Sequence, residues 1–387
     1  MTVVLHVAKA SGISGSENHL LLLLPALRAR GWDARFLLLH EDEPGAWELA
    51  RRLDEGGVPV EGIRLRRSAD PLALTRLAGA VRRHRPDIVH THLVHADVLG
   101  LAAARLARVP VRASTKHGFN AFRETRGFGL VDRAATAGVD LHIAISRGLA
   151  RYLARVEGFR EEAFEVVHYG IEPGDDPPPP AAADRLAVVG RLIPIKGHRT
   201  LFSALERVPE ARVEVAGDGP LEAELKALAA PLRARVSFLG RVAPAAPVME
   251  RAGIVVVPSL GEGFGMVALE AMERGRAVIA SAVGGLPEIV DDGHTGLLVP
   301  PEDPDALTEA IGSLVHDPAR VRAMGAAGRR RALEAFSQEQ NTERTIALYE
   351  ASLGAAARRR RMSRRAPAAR TSANAASTAS RKSQGTR

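Results

Sequence analysis

Ile254-Val-Val-Val-Pro-Ser-Leu-Gly-Glu-Gly-Phe-Gly-Met-Val-Ala-Leu-Glu270 decides the fold. Ile254 to Val257 form a branched apolar run of the kind that fills a strand buried on both faces. Gly263 and Gly265 then open what reads as a helix. Strand, glycine loop and helix start make the repeating unit of a doubly wound α/β sheet, which binds ligands at the carboxyl ends of its strands. The free amides and positive dipole end of that helix favour an anion. Glu262 and Glu270 flank the anion site, and carboxylates accept charge-assisted hydrogen bonds from hydroxyls. A ligand with a central diphosphate and a sugar at each end, such as a nucleotide sugar, matches that layout.

The same alternation recurs on both sides. Before this unit, Val3 to Val7, Ala34 to Leu39, Val58 to Ile63, Asp87 to His90, Val111 to Thr115, Leu141 to Ala144 and Phe164 to Val167 read as strands. Amphipathic helices such as Glu17 to Arg30, Pro71 to Arg85 and Ala96 to Arg108 separate them. Around it, Leu186 to Val189, Ala211 to Ala216, Val236 to Leu239, Ala277 to Ala280 and Leu297 to Val299 are further strands. The pattern predicts two doubly wound α/β domains facing a central cleft. Pro173-Gly-Asp-Asp-Pro-Pro-Pro-Pro180 fits neither a helix nor a central strand and reads as a linker. The expected organisation is an acceptor-binding domain over 1–172, a linker over 173–183 and a nucleotide-binding domain over 184–335. A helix over 336–354 is expected to cross back to the first domain, followed by a disordered basic tail over 355–387.

The 387 residues include no cysteine, which excludes disulfides, thiolate nucleophiles and zinc–thiolate sites and fits a reducing compartment. The chain enters an apolar strand at Thr2 to Val7 without a basic leader, so a secretory signal is not expected. Its longest apolar run, Leu20 to Leu24, is far too short to cross a bilayer. A cytoplasmic location follows as an expectation. The formal charge of +8 belongs to the tail: ten Lys and Arg and no acid follow Ala355, leaving the rest slightly acidic. Such a tail is suited to peripheral contact with an anionic membrane, and no specific nucleic-acid partner is expected.

Strand-end loops carry the other candidate groups. Gly190-Arg-Leu-Ile-Pro-Ile-Lys-Gly197 offers Arg191 and Lys196 at the end of a strand. These cations, with helix dipoles, are expected to neutralise a diphosphate without a metal. Gly217-Asp-Gly-Pro220 reads as a tight turn lining the nucleotide pocket, and Gly284-Gly-Leu-Pro-Glu288 as another glycine-rich helix start. In the first half, Ser11-Gly-Ile-Ser-Gly-Ser-Glu17 allows close approach of backbone amides, with Gly15 as its glycine. His90, His92 and His95 invite a metal reading that no carboxylate or cysteine completes, so no metal site is assigned. His117 sits at a strand end facing the cleft, where it can donate to a sugar hydroxyl. Arg64, Arg66, Arg67, Arg76, Arg82, Arg83 and Arg85, with Phe119, Phe122 and Phe128, suggest a membrane encounter and a lipid-linked or cell-envelope acceptor.

Val189-Gly-Arg-Leu, Lys196-Gly197, Ala216-Gly-Asp-Gly-Pro220, Glu262-Gly-Phe-Gly, Glu270-Ala-Met272 and Gly284-Gly-Leu-Pro-Glu288, in that order and spacing, resemble glycosyltransferase family 4. These are the retaining, GT-B glycosyltransferases of group 1, and the likeness runs from Val3 to about Leu353. The resemblance implies two Rossmann-like domains and transfer from a nucleotide-diphospho-sugar to a hydroxyl acceptor with retained configuration and no cofactor. It places Arg191 and Lys196 as the diphosphate clamp, Glu270 on the ribose and Glu262 on the donor sugar. It further places Phe264, Gly265 and Met266, with Gly263, beside sugar and phosphate, and Gly15 and His117 on the first-domain side. It fits a role in glycolipid, polysaccharide or other glycoconjugate synthesis. Here the usual double glycine of the first loop is Ser14-Gly15. A GT-B nucleotide-sugar epimerase and a non-catalytic partner subunit are the alternatives, and no convincing lysine for pyridoxal phosphate is present.

Overall fold

The computed structural model describes residues 1–66, 70, 72–119 and 133–382, with side chains as far as Met362. The first domain's strands are β1 (Val3–Lys9), β2 (Asp33–His40), β3 (Val60–Arg64), β4 (Ile88–His92), β5 (Val111–Lys116), β6 (Leu141–Ala144) and β7 (Phe164–Val166). They form a seven-stranded sheet in the order β3-β2-β1-β4-β5-β6-β7, every pair parallel. Its helices include α1 (Gly15–Ala29), α2 (Pro44–Glu55), α3 (Ala73–His84), α4 (Leu93–Leu106) and α5 (Arg147–Glu157).

The second sheet has β8 (Arg185–Val189), β9 (Arg212–Ala216), β10 (Val236–Gly240), β11 (Ile254–Val257), β12 (Ala277–Ser281) and β13 (Gly296–Val299). Its order is β10-β9-β8-β11-β12-β13, again parallel throughout. Around it lie α6 (His198–Leu205), α7 (Glu222–Leu228), α8 (Ala246–Glu250), α9 (Met266–Glu273), α10 (Leu286–Ile289), α11 (Pro304–Val315) and α12 (Pro318–Ala335). All four residues of β11 are buried, as expected for a central strand. In each sheet the winding reverses beside the first strand, between β1 and β4 and between β8 and β11. Such a reversal opens a crevice at the carboxyl ends of the strands. The loops after β1, β4, β8 and β11 are therefore the ones that meet in the cleft.

The two domains share packing. Phe264, at 2 % exposure, lies with its ring centroid 5.5 Å from His168, 5.7 Å from Tyr169 and 5.9 Å from Phe336. The final helix, α13 (Gln338–Lys382), leaves the second domain and sets Leu348 and Tyr349 into the first domain's core. The segment expected to be disordered from residue 355 instead continues this helix to Lys382. Its abundance of Ala and Arg, strong helix formers, accounts for the difference. Ala356 is buried against the first domain, and Arg359 pairs with Asp140 at 2.6 Å.

Several of the arginines proposed as a membrane face are engaged locally. Arg64 pairs with Asp42, Arg76 with Asp70 and Arg83 with Glu61. Arg82 donates to the Leu106 carbonyl. Arg67, Phe122, Phe128 and Arg387 lie outside the described residues, as do the side chains of the tail's other cations beyond Met362. Among the described residues, no helix is long and apolar enough to cross a membrane.

Candidate active site in the interdomain cleft

A cavity of about 330 Å³ lies where the two crevices meet. Gly15, His117, Arg191, Lys196 and Glu262 line it, as do Gly263 to Met266. Residues far apart in sequence thus share one space. A larger cavity of about 450 Å³, lined by Arg185 and Arg212, sits at the opposite, amino ends of β8 and β9. The smaller one holds the strand-end chemistry.

The wall from the first domain begins at Ser14. Its backbone N–H (3.0 Å) and hydroxyl (2.5 Å) both donate to one Glu17 carboxylate oxygen, which Ser16 Oγ also reaches at 3.0 Å. This capping arrangement fixes the start of α1, whose first-turn amides lack intrahelical acceptors. Gly15 faces Met266 across the cleft: a methyl placed there would lie 3.9 Å from Met266 Cγ. Met266 begins α9, so two helix amino ends from different domains converge on one volume and enrich it in positive potential.

The opposite wall carries the cations. The loop holding Arg191 and Lys196 packs on the end of β11, where Leu260 N–H donates to Ile195 O at 2.8 Å. Gly197 permits this approach. Its φ is +68°, and a Cβ there would overlap the Pro258 carbonyl oxygen. Lys196 Nζ donates to Glu262 Oε2 at 2.6 Å, and Ser259 Oγ reaches the same oxygen at 3.3 Å. The expected diphosphate cation and sugar-binding carboxylate thus hold one another when nothing lies between them. Arg191 is exposed at the cavity and, among the described residues, has no carboxylate partner.

Glu270 and Gly217 differ from the simple expectation. Neither lines the cavity. Glu270 sits on α9, four residues after the lining Met266 and three after the lining Val267, so it lies behind them on the same helix face. It is half-buried, and no described side chain hydrogen-bonds its carboxylate. Burial pushes that carboxyl up to about 7, against the pull of Arg274 and with Glu273 adding to the rise. Gly217 (φ +153°) has a packing role: a Cβ there would overlap Gly190 O, so it lets the β9 turn press on the loop carrying Arg191.

His117 also departs from expectation. Its Nδ1 bonds the Tyr169 hydroxyl and its Nε2 bonds His92 Nδ1 at 2.8 Å, so both ring nitrogens are occupied. Contact with a ligand through the ring then requires one of these bonds to open. Tyr169 itself lines the cavity at the end of β7, a strand end whose side chains were not considered from sequence. The histidine group that forms is His6, His90 and His92 rather than His90, His92 and His95. Every ring nitrogen of those three already has a hydrogen-bond partner.

Glu288 holds the domains together instead of facing the cavity. Its carboxylate accepts from the amides of Arg147 (3.1 Å) and Gly148 (2.9 Å), at the start of α5 in the first domain. His168 lies 2.8 Å away. Burial would raise this carboxyl, but His168 and the two amides outweigh it and keep it below the usual carboxylate range. Ser146 Oγ donates to Gly263 O at 2.6 Å, so the same contact anchors the glycine loop of the second domain.

The sequence profile of Glycosyltransferase Family 4 matches residues 13–175, and that of Glycosyl transferases group 1 matches residues 183–317. Alpha-maltose-1-phosphate synthase of Mycolicibacterium smegmatis is 35 % identical over 303 residues, covering 68 % of this chain and 78 % of that protein. The chain is a family 4, group 1 glycosyltransferase. D-inositol 3-phosphate glycosyltransferase of Mycobacterium avium is 32 % identical to the transferase over 317 residues, covering 72 % of it and 74 % of the relative. Anabaena HepE, solved in complex with UDP-glucose, superposes with a TM-score of 0.79 at 21 % identity, covering 91 % of the transferase and all of HepE. That likeness places the transferase in the GT-B fold.

Proposed function

We propose that the transferase moves a glycosyl group from a nucleotide-diphospho-sugar to a hydroxyl of a phosphorylated sugar or polyol, with retention of configuration and without a divalent ion. The observation that carries the reading is the Lys196–Glu262 pair at the meeting point of two helix amino ends. A diphosphate entering there takes Lys196 and the amides of the first turn of α9, with Arg191 as second cation. Glu262, released, accepts hydrogen bonds from the donor sugar. Glu270 takes the ribose hydroxyls deeper along α9. As the bond from the sugar to the diphosphate breaks, the acceptor oxygen bonds the same face of the sugar and its proton passes to the departing phosphate oxygen. Metal independence is supported by the site's charge balance: among the described lining residues the only carboxylate, Glu262, is already ion-paired, and two cations are present.

The acceptor class draws support from two relatives named for a maltose 1-phosphate product and an inositol 3-phosphate substrate. Local pairing of Arg64, Arg76 and Arg83 weakens the surface argument for a lipid-linked acceptor. The test is a thermal-shift panel of UDP-, GDP- and ADP-sugars, since a ligand binding only the folded state raises its melting point. Turnover with the stabilising donor and a panel of phosphorylated sugars and polyols follows, in excess EDTA, with the product anomer read by NMR. Nucleotide diphosphate released only with acceptor and an anomer matching the donor's support the reading. An inverted product, or activity lost in EDTA and restored by Mg²⁺, refutes the corresponding part.

A further inference from the structure

Behind the cavity, buried hydrogen-bonding side chains link into a line. It runs from the Tyr169 hydroxyl to His117 Nδ1, from His117 Nε2 to His92 Nδ1 (2.8 Å), and from His92 Nε2 to His6 Nδ1 (2.9 Å). His6 Nε2 lies 3.4 Å from the Tyr349 hydroxyl, which meets His90 Nδ1 at 2.5 Å, and His90 Nε2 meets Thr115 Oγ1 at 2.6 Å. His6, His92 and Tyr349 are fully buried and His90 is 1 % exposed. Burial holds His6 at about 3 and His90 and His92 well below the usual histidine range, so these three imidazoles are neutral at pH 7.

A neutral imidazole donates from one nitrogen and accepts at the other. In a line joined Nε2 to Nδ1 throughout, one tautomer dictates the next. Two proton arrangements satisfy every link and also give the buried Tyr349 O–H an acceptor. In the first, all four histidines carry the proton on Nε2. Tyr169, which lines the cavity, then donates into His117, and its oxygen lone pairs are left to accept. In the second, all four carry it on Nδ1, and the Tyr169 O–H is left to donate into the cavity. Both arrangements hold the same number of protons; changing the first into the second moves a proton across each link, so Tyr169 takes one up at the cavity end as Thr115 gives one up at the far end.

We infer that His92, His6 and Tyr349 are positioning residues that fix the tautomer of His117 and so the hydrogen-bonding polarity that Tyr169 shows to a sugar in the cavity. The inference rests on the proposed donor site for its functional meaning. The Nε2–H form, the intrinsically favoured neutral tautomer of imidazole, is the one assigned here, so the Tyr169 oxygen accepts from a sugar hydroxyl. Tyr349 belongs to α13, which makes the returning C-terminal helix a link in the chemistry of the cleft as well as in its packing. A buried polar line costs more than an apolar core when any member loses its partner, so these contacts are expected to hold a single arrangement.

The test uses the full chain labelled with ¹⁵N-histidine, since the two nitrogens of neutral imidazole resonate far apart according to which is protonated. All four residues are expected as Nε2–H. In Tyr349→Phe, which severs the link between His6 and His90, the His6, His92 and His117 signals are expected to report a tautomer mixture. In the same variant, turnover should fall about tenfold at unchanged donor Kd, as expected for loss of a bond that acts beyond ground-state binding. Tyr349→Leu serves as a packing control, and Tyr169→Phe should reproduce the turnover loss with wild-type tautomers at His6 and His90. Mixed tautomers in the native chain, a stoichiometric metal found on His6, His90 and His92, or Tyr349→Phe leaving both tautomers and turnover unchanged would overturn the inference. Uniform tautomers in a chain with no transferase activity would instead refute the proposed function and leave the line as a structural element.

Discussion

Donor binding should release a proton, and the proton should come from Glu270. With nothing bound, this carboxyl is pushed up to about 7 by burial and has no described hydrogen-bond partner. Ribose hydroxyls donating to it favour the ionised form, so the bound state has a lower value than the free one. At pH 6 the free protein is then about nine-tenths protonated at this group, and binding must first remove that proton. The penalty is about 1.4 kcal/mol at pH 6 and close to zero at pH 8, so donor affinity should improve about tenfold between them. A sugar nucleotide is the right ligand, because its diphosphate is esterified at both ends and does not titrate in this range. Isothermal titration in buffers of different ionisation heat measures the proton directly. A release of nearly one proton is expected at pH 6, falling to about a tenth at pH 8, and Glu270→Gln should abolish it. Buffer-independent heats at pH 6, or proton release that survives in Glu270→Gln, would show that Glu270 does not meet the nucleotide.

The same shift has a consequence for the unliganded protein. The Glu270 carboxyl stands at about 7 folded against 4.5 unfolded, so the folded chain holds the extra proton between those values and stability falls as pH rises through them. The loss sums to about 3 kcal/mol, and Glu270→Gln should melt several degrees higher than wild type at pH 8 and show no such gain at pH 4; calorimetry at the two pH values decides. Lys196→Ala leaves Glu262 without its cation and the diphosphate without its nearest one, and transfer is expected to fall about 10²- to 10³-fold with an unchanged circular dichroism spectrum; a rate within threefold of wild type would remove Lys196 from the site. Glu288→Ala strips the cap from the amides of Arg147 and Gly148, worth about 1–3 kcal/mol for a charged acceptor, and small-angle scattering should show a more open pair of domains without donor; an unchanged radius of gyration would mean the clasp is redundant.

How far the sequence speaks depends on the range of the interaction. Strand identity is local. Ile254 to Val257 match their element residue for residue, because a run of buried branched side chains has few alternatives to a central strand. The residues at strand ends were legible for the same reason: the alternation places Gly15, His117, Arg191, Lys196 and Glu262 at carboxyl ends, and the winding order gathers them. What was hidden depends on partners hundreds of residues away. Tyr349 meets His90 across 259 positions, and Glu288 caps an α5 amide across 140. No periodicity marks either. His6 alternates with core residues along β1 and reads as one more buried strand position until β4 is laid beside it in register, pairing His6 with His90. The extension of α13 shows the other limit. In the tail, composition argued for disorder on charge, while the helix propensity of Ala and Arg argued the opposite and prevailed.

The charges of the cleft also explain why the site can stand ready without a ligand. An isolated half-buried ammonium or carboxylate is costly, and the cost falls when each supplies the other's hydrogen bond. Lys196 and Glu262 do this at 2.6 Å. Separating them is favourable only for a ligand that brings an anion to the lysine and hydrogen-bond donors to the glutamate together. A free phosphate satisfies the first alone and a free sugar the second alone, so either leaves one charge without its partner. A sugar diphosphate supplies both within the span of one bond. On the proposed function, selectivity for the intact donor is expected to reside in the ion pair itself, before any contact to the base is made, and Gly197, which lets the Lys196 loop pack on Pro258, is expected to serve recognition as well as folding.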